Sequence, residues 1–121
     1  MIKRHNTNAR MSQCVEVPFS GRLVMTAGIT ADDTSGDVKA QTAEVLAKID
    51  RNLAVAGTDK RAAYAAYIWL PDIADFDAMN EIWDAWVPDG SAPTRACVEA
   101  RLANPDLKVE IQILAFVPAG A

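Results

Sequence analysis

The chain has 121 residues, of which 50% are hydrophobic, and carries a net charge of −4. This length suits one domain with a modest core, and the acidic balance disfavours nucleic-acid binding, which depends mainly on neutralising phosphates. No apolar run approaches the roughly 18 residues of a membrane span, and the first ten residues lack the apolar segment of a signal peptide. We therefore expect a cytoplasmic protein without a membrane partner, whose two cysteines are reduced thiols.

The first third of the chain predicts two short strands. Residues 11–17 form a mixed strand, residues 18–21 a turn, and residues 22–27 a second strand of higher apolar content. Gly28 ends this strand or, alternatively, lets the backbone approach a ligand. His5, the only histidine, falls in an N-terminal tail that we expect to fray.

Apolar residues at helical spacing predict two helices with a strand between them. The first begins at Asp37 as N-cap and closes at Gly57, and its stripe is Val38, Thr42, Val45, Leu46, Ile49 and Leu53. Residues 64–70 favour a strand, although their alanines also permit a helix. The second helix is capped at Asp75, and its stripe is Phe76, Met79, Ile82, Trp83 and Trp86.

The C-terminal third predicts a β-hairpin. Residues 95–102 and 108–117 each alternate between polar and apolar side chains, and Asn104-Pro105-Asp106 has the composition of a tight turn. If the apolar sides face the core, one polar side carries Arg95, Cys97, Glu99, Glu110 and Gln112. The order is β-β-α-β-α-β-β, an α+β arrangement with two helices on one face of a sheet of five or six strands. The other face would form a polar seam between subunits.

Arg95 and Glu110 are the hairpin residues best suited to chemistry. A guanidinium can hold a carboxylate through two parallel hydrogen bonds; the alternative is a surface arginine paired with a nearby acid. A partly desolvated Glu110, within the most apolar strand, suits proton transfer; the alternative is a carboxylate in water. In a hairpin centred near Pro105 the two residues lie ~17 Å apart along the ladder. They could then share a small ligand only if Arg95 of one copy met Glu110 of the next.

Few residues of the sequence are suited to nucleophilic catalysis or to metal binding. Cys97 has no histidine or lysine nearby in sequence to activate it, so we expect a thiol that lines a pocket rather than a nucleophile. With His5 as the only histidine, neither a Ser-His-Asp nucleophile nor a histidine-based metal site is expected.

These segments resemble the RidA family, the YjgF-type reactive-intermediate deaminases. R-A-C-V-E-A-R-L, a short turn and K-V-E-I-Q-I-L-A are similar to the family's C-terminal signature, and D-F-D-A-M-N and R-L-V-M-T-A-G occur in the family's order and spacing. R-M-S near the start and E-I-W-D-A-W-V are most similar to the YoaB-type branch. The resemblance implies a chorismate-mutase-like fold, a homotrimer with a cleft at each subunit boundary, and hydrolysis of 2-imino or enamine acids to 2-keto acids and ammonia. An iminium carbon is already electrophilic, so no metal or organic cofactor is expected.

The resemblance also implies roles for individual residues. Arg95 would hold the substrate carboxylate, and Glu110 would orient water and transfer a proton. Asn80 matches the family's helix asparagine, and Gly28 matches the glycine whose amide faces the ligand; Cys97 would line the pocket. From the helical pattern alone, Asn80 lies off the apolar stripe and would be a solvated residue.

Two departures from the family pattern remove hydroxyl groups from the expected pocket. Cys14 stands where the family has a tyrosine, and Ala27 stands where it has a serine. Arg10 and Ser12 are candidates to replace them. A non-catalytic trimer that binds small carboxylates, or a protein-interaction or regulatory module, explains the missing hydroxyls better than an enzyme does.

Overall fold

A computed structural model describes residues 1–120. They form six strands and two α-helices, in the order β1 Lys3–Thr7, β2 Ser12–Glu16, β3 Gly21–Met25, α1 Val38–Val55, β4 Ala63–Leu70, α2 Phe76–Trp86, β5 Thr94–Glu99 and β6 Glu110–Pro118. Short 3-10 helices, Lys60–Ala62 and Ile73–Asp75, precede β4 and α2. Both predicted helices are confirmed, and β1 is a strand that the sequence reading missed. Neither helix is long and apolar enough to span a membrane.

Four strands form the main sheet, in the order β3-β6-β4-β5. Strand β6 pairs antiparallel with both β3 and β4, whereas β5 pairs parallel with β4 at the sheet edge. The predicted hairpin of β5 and β6 is therefore wrong. The chain leaves β4, crosses the sheet in α2 and returns parallel to β4, which is the usual consequence of a helix between two neighbouring strands.

The segment between β5 and β6 is held by α1 rather than folding back as a tight hairpin. Gln41, which is fully buried in α1, donates to the carbonyl of Asp106 at 3.0 Å and accepts from the amide of Lys108 at 2.9 Å. These bonds hold the connection against α1 before the chain enters β6, an inner strand of the sheet. The turn at residues 104–107 exists, but it does not join two paired strands.

Strands β1 and β2 form a separate two-stranded sheet, so the prediction of one sheet of five or six strands is wrong. His5 pairs with Cys14 in this ladder, and the expected fraying tail is a strand. Arg4 fixes the hairpin by donating to the carbonyls of Ala92 and Arg61, both at 2.9 Å. The amide of Ser12 adds a 2.8 Å bond to the carbonyl of Pro93.

Both helices pack on one face of the main sheet, where the apolar stripes meet the inward residues of β4 and β6. Asp37 caps α1 as predicted, accepting from the amide of Ala40 at 2.9 Å. The buried cluster joins helix and sheet side chains, among them Val45, Ile49, Leu53, Met79, Trp83, Ala66, Ile68, Ile111 and Ile113. This core holds β4 and β6 rigidly beneath the helices.

The opposite side of the main sheet, called the open face below, has no cover within residues 1–120. It is largely apolar, and its exposed members are Leu23, Met25, Tyr67 and Val98. Glu110 and Gln112 lie among them, paired with Trp69 and Tyr67 of β4. The prediction of a polar seam on this face is therefore wrong for β5, because the side chains that β5 directs to the open face are Ala96 and Val98.

Candidate functional site

Arg95 lies on the edge strand β5 and faces the helices. It pairs with Ala66 in the β4–β5 ladder, and Ala66 is a core residue only 1% exposed. Paired residues point to the same side of a sheet, so Arg95 and, two residues on, Cys97 lie on the helix side. The prediction that both point away from the core is wrong. Arg95 instead projects beneath α2.

The face of α2 above Arg95 consists of Phe76, Asn80 and Trp83, which share one side of a helix by their spacing. Asn80 Oδ1 accepts a 2.5 Å hydrogen bond from Arg95 Nη1. The guanidinium carbon lies 5.6 Å from the centroid of the Phe76 ring and 5.5 Å from that of Trp83, so two aromatic rings stabilise the cation. Asn80 is 1% exposed, and its interpretation as a solvated helix residue is wrong.

Arg95 and Asn80 both keep hydrogen-bond donors that no protein group uses. Within residues 1–120, no carboxylate lies at ion-pair distance from Arg95, and only its Nη1 donates to a protein acceptor. Because Oδ1 of Asn80 accepts from Arg95, the amide Nδ2 is left buried without a partner. Such an orphaned donor costs about 1–3 kcal/mol. The arrangement therefore offers converging donors to an oxygen of a bound ligand.

Burial governs the ionisation of this cluster. It lowers the pKa of the Arg95 guanidinium, which stays charged at neutral pH because an arginine pKa starts so high. Burial also raises the pKa of the Cys97 thiol, and the nearby Arg95 charge offsets only part of that rise. A neutral, partly buried thiol is a poor nucleophile. This state fits a thiol that lines the pocket.

Arg10 reaches the same cluster from the turn between β1 and β2. Its Nε and Nη2 each donate at 2.9 Å to one carboxylate oxygen of Asp84 on α2, and this fork holds the pKa of Asp84 below its usual value. The backbone carbonyl of Arg10 accepts a 2.9 Å bond from Trp83 Nε1. Its guanidinium carbon lies 5.9 Å from the Phe76 centroid. Arg10 and Arg95 thus approach the same ring.

Sequence reasoning missed two members of this cluster, Phe76 and Asp84. The stripe formed by Phe76, Asn80 and Trp83 was visible as a helical spacing, and it could have placed Asn80 beside two aromatic rings. Nothing in the sequence pairs Asp84 with Arg10, because 74 residues separate them.

Gly28 and Glu110 form a second cluster, on the open face. The amides of Thr26 and Ile29 bond to the carbonyls of Ile113 and Ile111 at 2.9 and 2.8 Å, and Gly28 bulges between these two bonds. The Glu110 carboxylate packs against Gly28, where any side chain would collide with it. The absence of a side chain at Gly28 therefore leaves room for the close approach of Glu110. The structure thus brings together two of the residues that the resemblance singled out.

The two clusters are separated by the sheet itself. Arg95 pairs with Ala66 on one side of β4, and Glu110 pairs with Trp69 on its other side. Two strand spacings and three residues of strand rise place their Cα atoms about 14 Å apart, with side chains on opposite faces. The hairpin used to predict their separation does not exist. They are nonetheless too far apart to contact one small ligand within a chain.

Ser12, a candidate to replace the missing hydroxyls, has another partner, and Cys14 does not enter the cluster around Arg95. Ser12 is buried, and its hydroxyl donates to the carbonyl of Ala92 at 2.6 Å. Cys14 is an exposed free thiol on β2. Ser12 therefore anchors the β1–β2 hairpin and supplies no hydroxyl to the pocket.

A mixed sheet under two helices, with cations beneath the second helix, defines an α+β protein of the chorismate-mutase-like class. The chain belongs to the family described as Endoribonuclease L-PSP, whose model matches residues 1–117, and the resemblance to YjgF/RidA proteins is confirmed. A RutC family protein of Haemophilus ducreyi is 43% identical over 117 residues, which cover 97% of each chain. The RutC family protein YoaB of Escherichia coli is 48% identical over 86 residues, 71% of this chain and 75% of that protein.

Solved structures agree with this assignment. The crystal structure of NMB1025, a member of the YjgF protein family from Neisseria meningitidis, is 44% identical with a TM-score of 0.77, covering 100% of this chain and 98% of that chain. One relative carries an activity in its name: the 3-aminoacrylate deaminase RutC of Acinetobacter baylyi is 37% identical over 82 residues, 68% of this chain and 64% of that protein.

Proposed function

We propose that the protein hydrolyses 2-imino acids and their enamine tautomers to 2-keto acids and ammonia. The observation that carries the proposal is the Arg95 guanidinium, with unused donors, beside the unpaired Nδ2 of buried Asn80. A carboxylate supplies the negative charge and the acceptor oxygens that these groups lack. The named activity of the Acinetobacter relative supports the same class of reaction.

The reaction needs one further group that handles water, and Glu110 is suited to it. Glu110 accepts a proton from water as the oxygen attacks the iminium carbon, which forms a C–O bond and a neutral carbinolamine. It returns this proton to the amino nitrogen. The C–N bond then breaks, ammonia leaves, and Glu110 takes up the hydroxyl proton as the ketone forms. That proton finally passes to ammonia, which gives ammonium. Arg95 holds the carboxylate throughout, and Gly28 leaves the Glu110 carboxylate room.

The proposal requires a second copy of the chain, because Arg95 and Glu110 cannot serve one ligand within the same chain. The open face supports this requirement. Leu23 and Val98 are 65% and 51% exposed, and contiguous apolar surface of this kind marks interaction sites. Covering it with a neighbouring copy would carry Glu110 to a subunit boundary. We propose a homotrimer, in which each boundary combines Arg95 of one copy with Glu110 of the next.

A second candidate function is a non-catalytic binder of small carboxylates, or a regulatory module built on the same arginine. The observation that favours it is the absence of pocket hydroxyls: Cys14 and Ala27 carry none, and the Ser12 hydroxyl is bonded to Ala92.

Turnover of a 2-imino acid generated in situ separates the two functions. An amino-acid oxidase acting on D-alanine would release 2-iminopropionate, and semicarbazide would trap whatever imine remains. We expect the protein to reduce trapping by accelerating hydrolysis, and Arg95→Ala and Glu110→Gln to abolish the effect. Binding of pyruvate without acceleration would favour the binder. Cleavage of RNA in a parallel incubation, with no imine turnover, would favour the activity in the family description.

A further inference from the structure

We propose that Arg10 is a second anion-binding residue of this site, which selects ligands carrying a second carboxylate at the far end of a short chain. For the deaminase, these would be 2-imino dicarboxylic acids. The inference rests on the proposed carboxylate site at Arg95. It adds a specificity-determining residue to that site.

The first support is the set of donors that Arg10 leaves free. Asp84 takes Nε and Nη2, and no acceptor for Nη1 exists among residues 1–120. The Arg10 and Asp84 side chains are 39% and 36% exposed, so this edge of the site is open to a ligand. A guanidinium fixed by one carboxylate and still able to donate is prepared for a second anionic group.

The second support is the position of Arg10 relative to Arg95. The two guanidinium carbons lie 5.9 and 5.6 Å from the centroid of the same Phe76 ring. These two distances limit the separation of the guanidinium carbons to about 12 Å, so a ligand whose first carboxylate rests on Arg95 and Asn80 can present a second carboxylate to Arg10. Five-carbon dicarboxylates have the length to link two cations arranged around one phenyl ring.

The third support is that anchoring the turn does not require the Arg10 side chain. The Arg10 backbone carbonyl already accepts from Trp83. The Ser12 amide and hydroxyl bond to Pro93 and Ala92, and Arg4 bonds to Ala92 as well. The bidentate contact with Asp84 instead fixes where the Arg10 charge stands, at the edge of the Arg95 pocket.

A matched pair of keto acids tests the inference without requiring turnover. 2-Oxoglutarate and 2-oxopentanoate share a five-carbon chain, and only the first has a distal carboxylate. We expect calorimetry on the full-length protein to show about tenfold tighter binding of 2-oxoglutarate, as for one partly exposed charged hydrogen bond. Arg10→Met should remove most of this preference. Lys39→Met is the control, because it breaks another ion pair to α2, that between Lys39 and Glu81 at 2.7 Å, and should leave the preference intact.

The variant Asp84→Asn distinguishes two roles of Arg10: selecting ligands by their distal carboxylate, and only holding the β1–β2 turn against α2. If Arg10 selects the distal carboxylate, Asp84→Asn keeps most of the preference, because the amide oxygen still accepts one of the two bonds from Arg10 and the cation stays in place. If the Arg10–Asp84 pair only fastens the turn, both variants weaken both ligands alike, and the inference is overturned. Equal binding of the two keto acids by the parent protein, or binding of neither, would overturn it as well. Failure of the proposed deaminase would appear separately, as keto-acid binding without imine turnover.

Discussion

Arg95 and Glu110 occupy opposite faces of one sheet, with strand β4 between them. Arg95 pairs with Ala66 and sits under α2, whereas Glu110 pairs with Trp69 and lies on the open face beside Gly28. Each face thus carries half of the groups that the proposed reaction needs. Neither half has both a carboxylate clamp and a group that handles water, so the proposed activity depends on assembly.

Disrupting the open face should therefore remove both assembly and activity. We expect the parent protein to be a trimer by light scattering at micromolar concentration, and Leu23→Lys to shift it to monomer, because a charge without a partner is costly in an apolar interface. Val55→Lys is the control, since Val55 is 90% exposed at the end of α1. A parent protein that is monomeric at this concentration would contradict both the trimer and the shared site.

The fold was predictable where the spacing of apolar residues allows only one type of element and only one buried side. Both helices, the cap at Asp37 and the inward side of β6 follow from periodicity. The arrangement of β5 was not predictable in this way, because alternation shows two sides without saying which is buried. On β5 the polar side faces the helices, where Asn80, Phe76 and Trp83 receive Arg95. A rule that always places apolar side chains in the core therefore assigns the wrong side of β5 to the interior.

The pairing of strands was the other feature that could not be predicted from the sequence. Residues 104–106 have true turn chemistry, but a turn does not establish that its two flanking strands are partners. The deciding contact is Gln41, which holds the connection against α1 through Asp106 and Lys108. Gln41 is not in the apolar stripe predicted for this helix, and nothing in the sequence shows that it bonds to residues 65 and 67 positions away. The family resemblance singled out Arg95, Asn80, Gly28 and Glu110 without any prediction of strand pairing, because motif likeness does not depend on it.

Arg95→Lys should reduce activity without unfolding the protein. Lysine keeps the charge, but its single ammonium cannot keep the bond to Asn80 Oδ1 and also grip a carboxylate in two places. Loss of this contact should cost about 2–3 kcal/mol of transition-state stabilisation, so kcat/KM would fall roughly 30- to 150-fold. Imine hydrolysis would be measured beside a thermal melt. Parent-like turnover by the lysine variant would exclude Arg95 as the carboxylate clamp.

Gly28→Ala should damage catalysis more than stability. The added methyl group would collide with the end of the flexible Glu110 side chain, which can turn away at a cost of about 1 kcal/mol. Gly28 does not have a positive φ, so alanine meets no backbone strain. We expect about a hundredfold loss of turnover, the scale of general acid–base catalysis. The double variant with Glu110→Ala should be no worse than Glu110→Ala alone. Full additivity of the two losses would show that Gly28 acts independently of Glu110.

The Cys97 thiol should titrate above the range of an ordinary cysteine. Burial favours its neutral form and raises its pKa from the usual 9.0, so the thiolate fraction near neutral pH is smaller than in a solvated cysteine. Alkylation by iodoacetamide follows the thiolate. We expect the rate at Cys97, measured by mass spectrometry on the native protein, to keep rising above pH 9. A plateau well below that pH would indicate an activated thiol and return Cys97 to the list of candidate nucleophiles.

Mixing two inactive variants tests whether the site is shared between copies. Arg95→Ala and Glu110→Ala should each be inactive alone. In a closed ring where each boundary takes Arg95 from one copy and Glu110 from the next, random co-assembly of equal amounts leaves both residues intact at about a quarter of the boundaries. The variants should be unfolded and refolded together, and native mass spectrometry should confirm mixed trimers. We expect roughly a quarter of parent activity. If both residues served one site from the same chain, every site would lack one of them, and mixed trimers would be as inactive as the single variants.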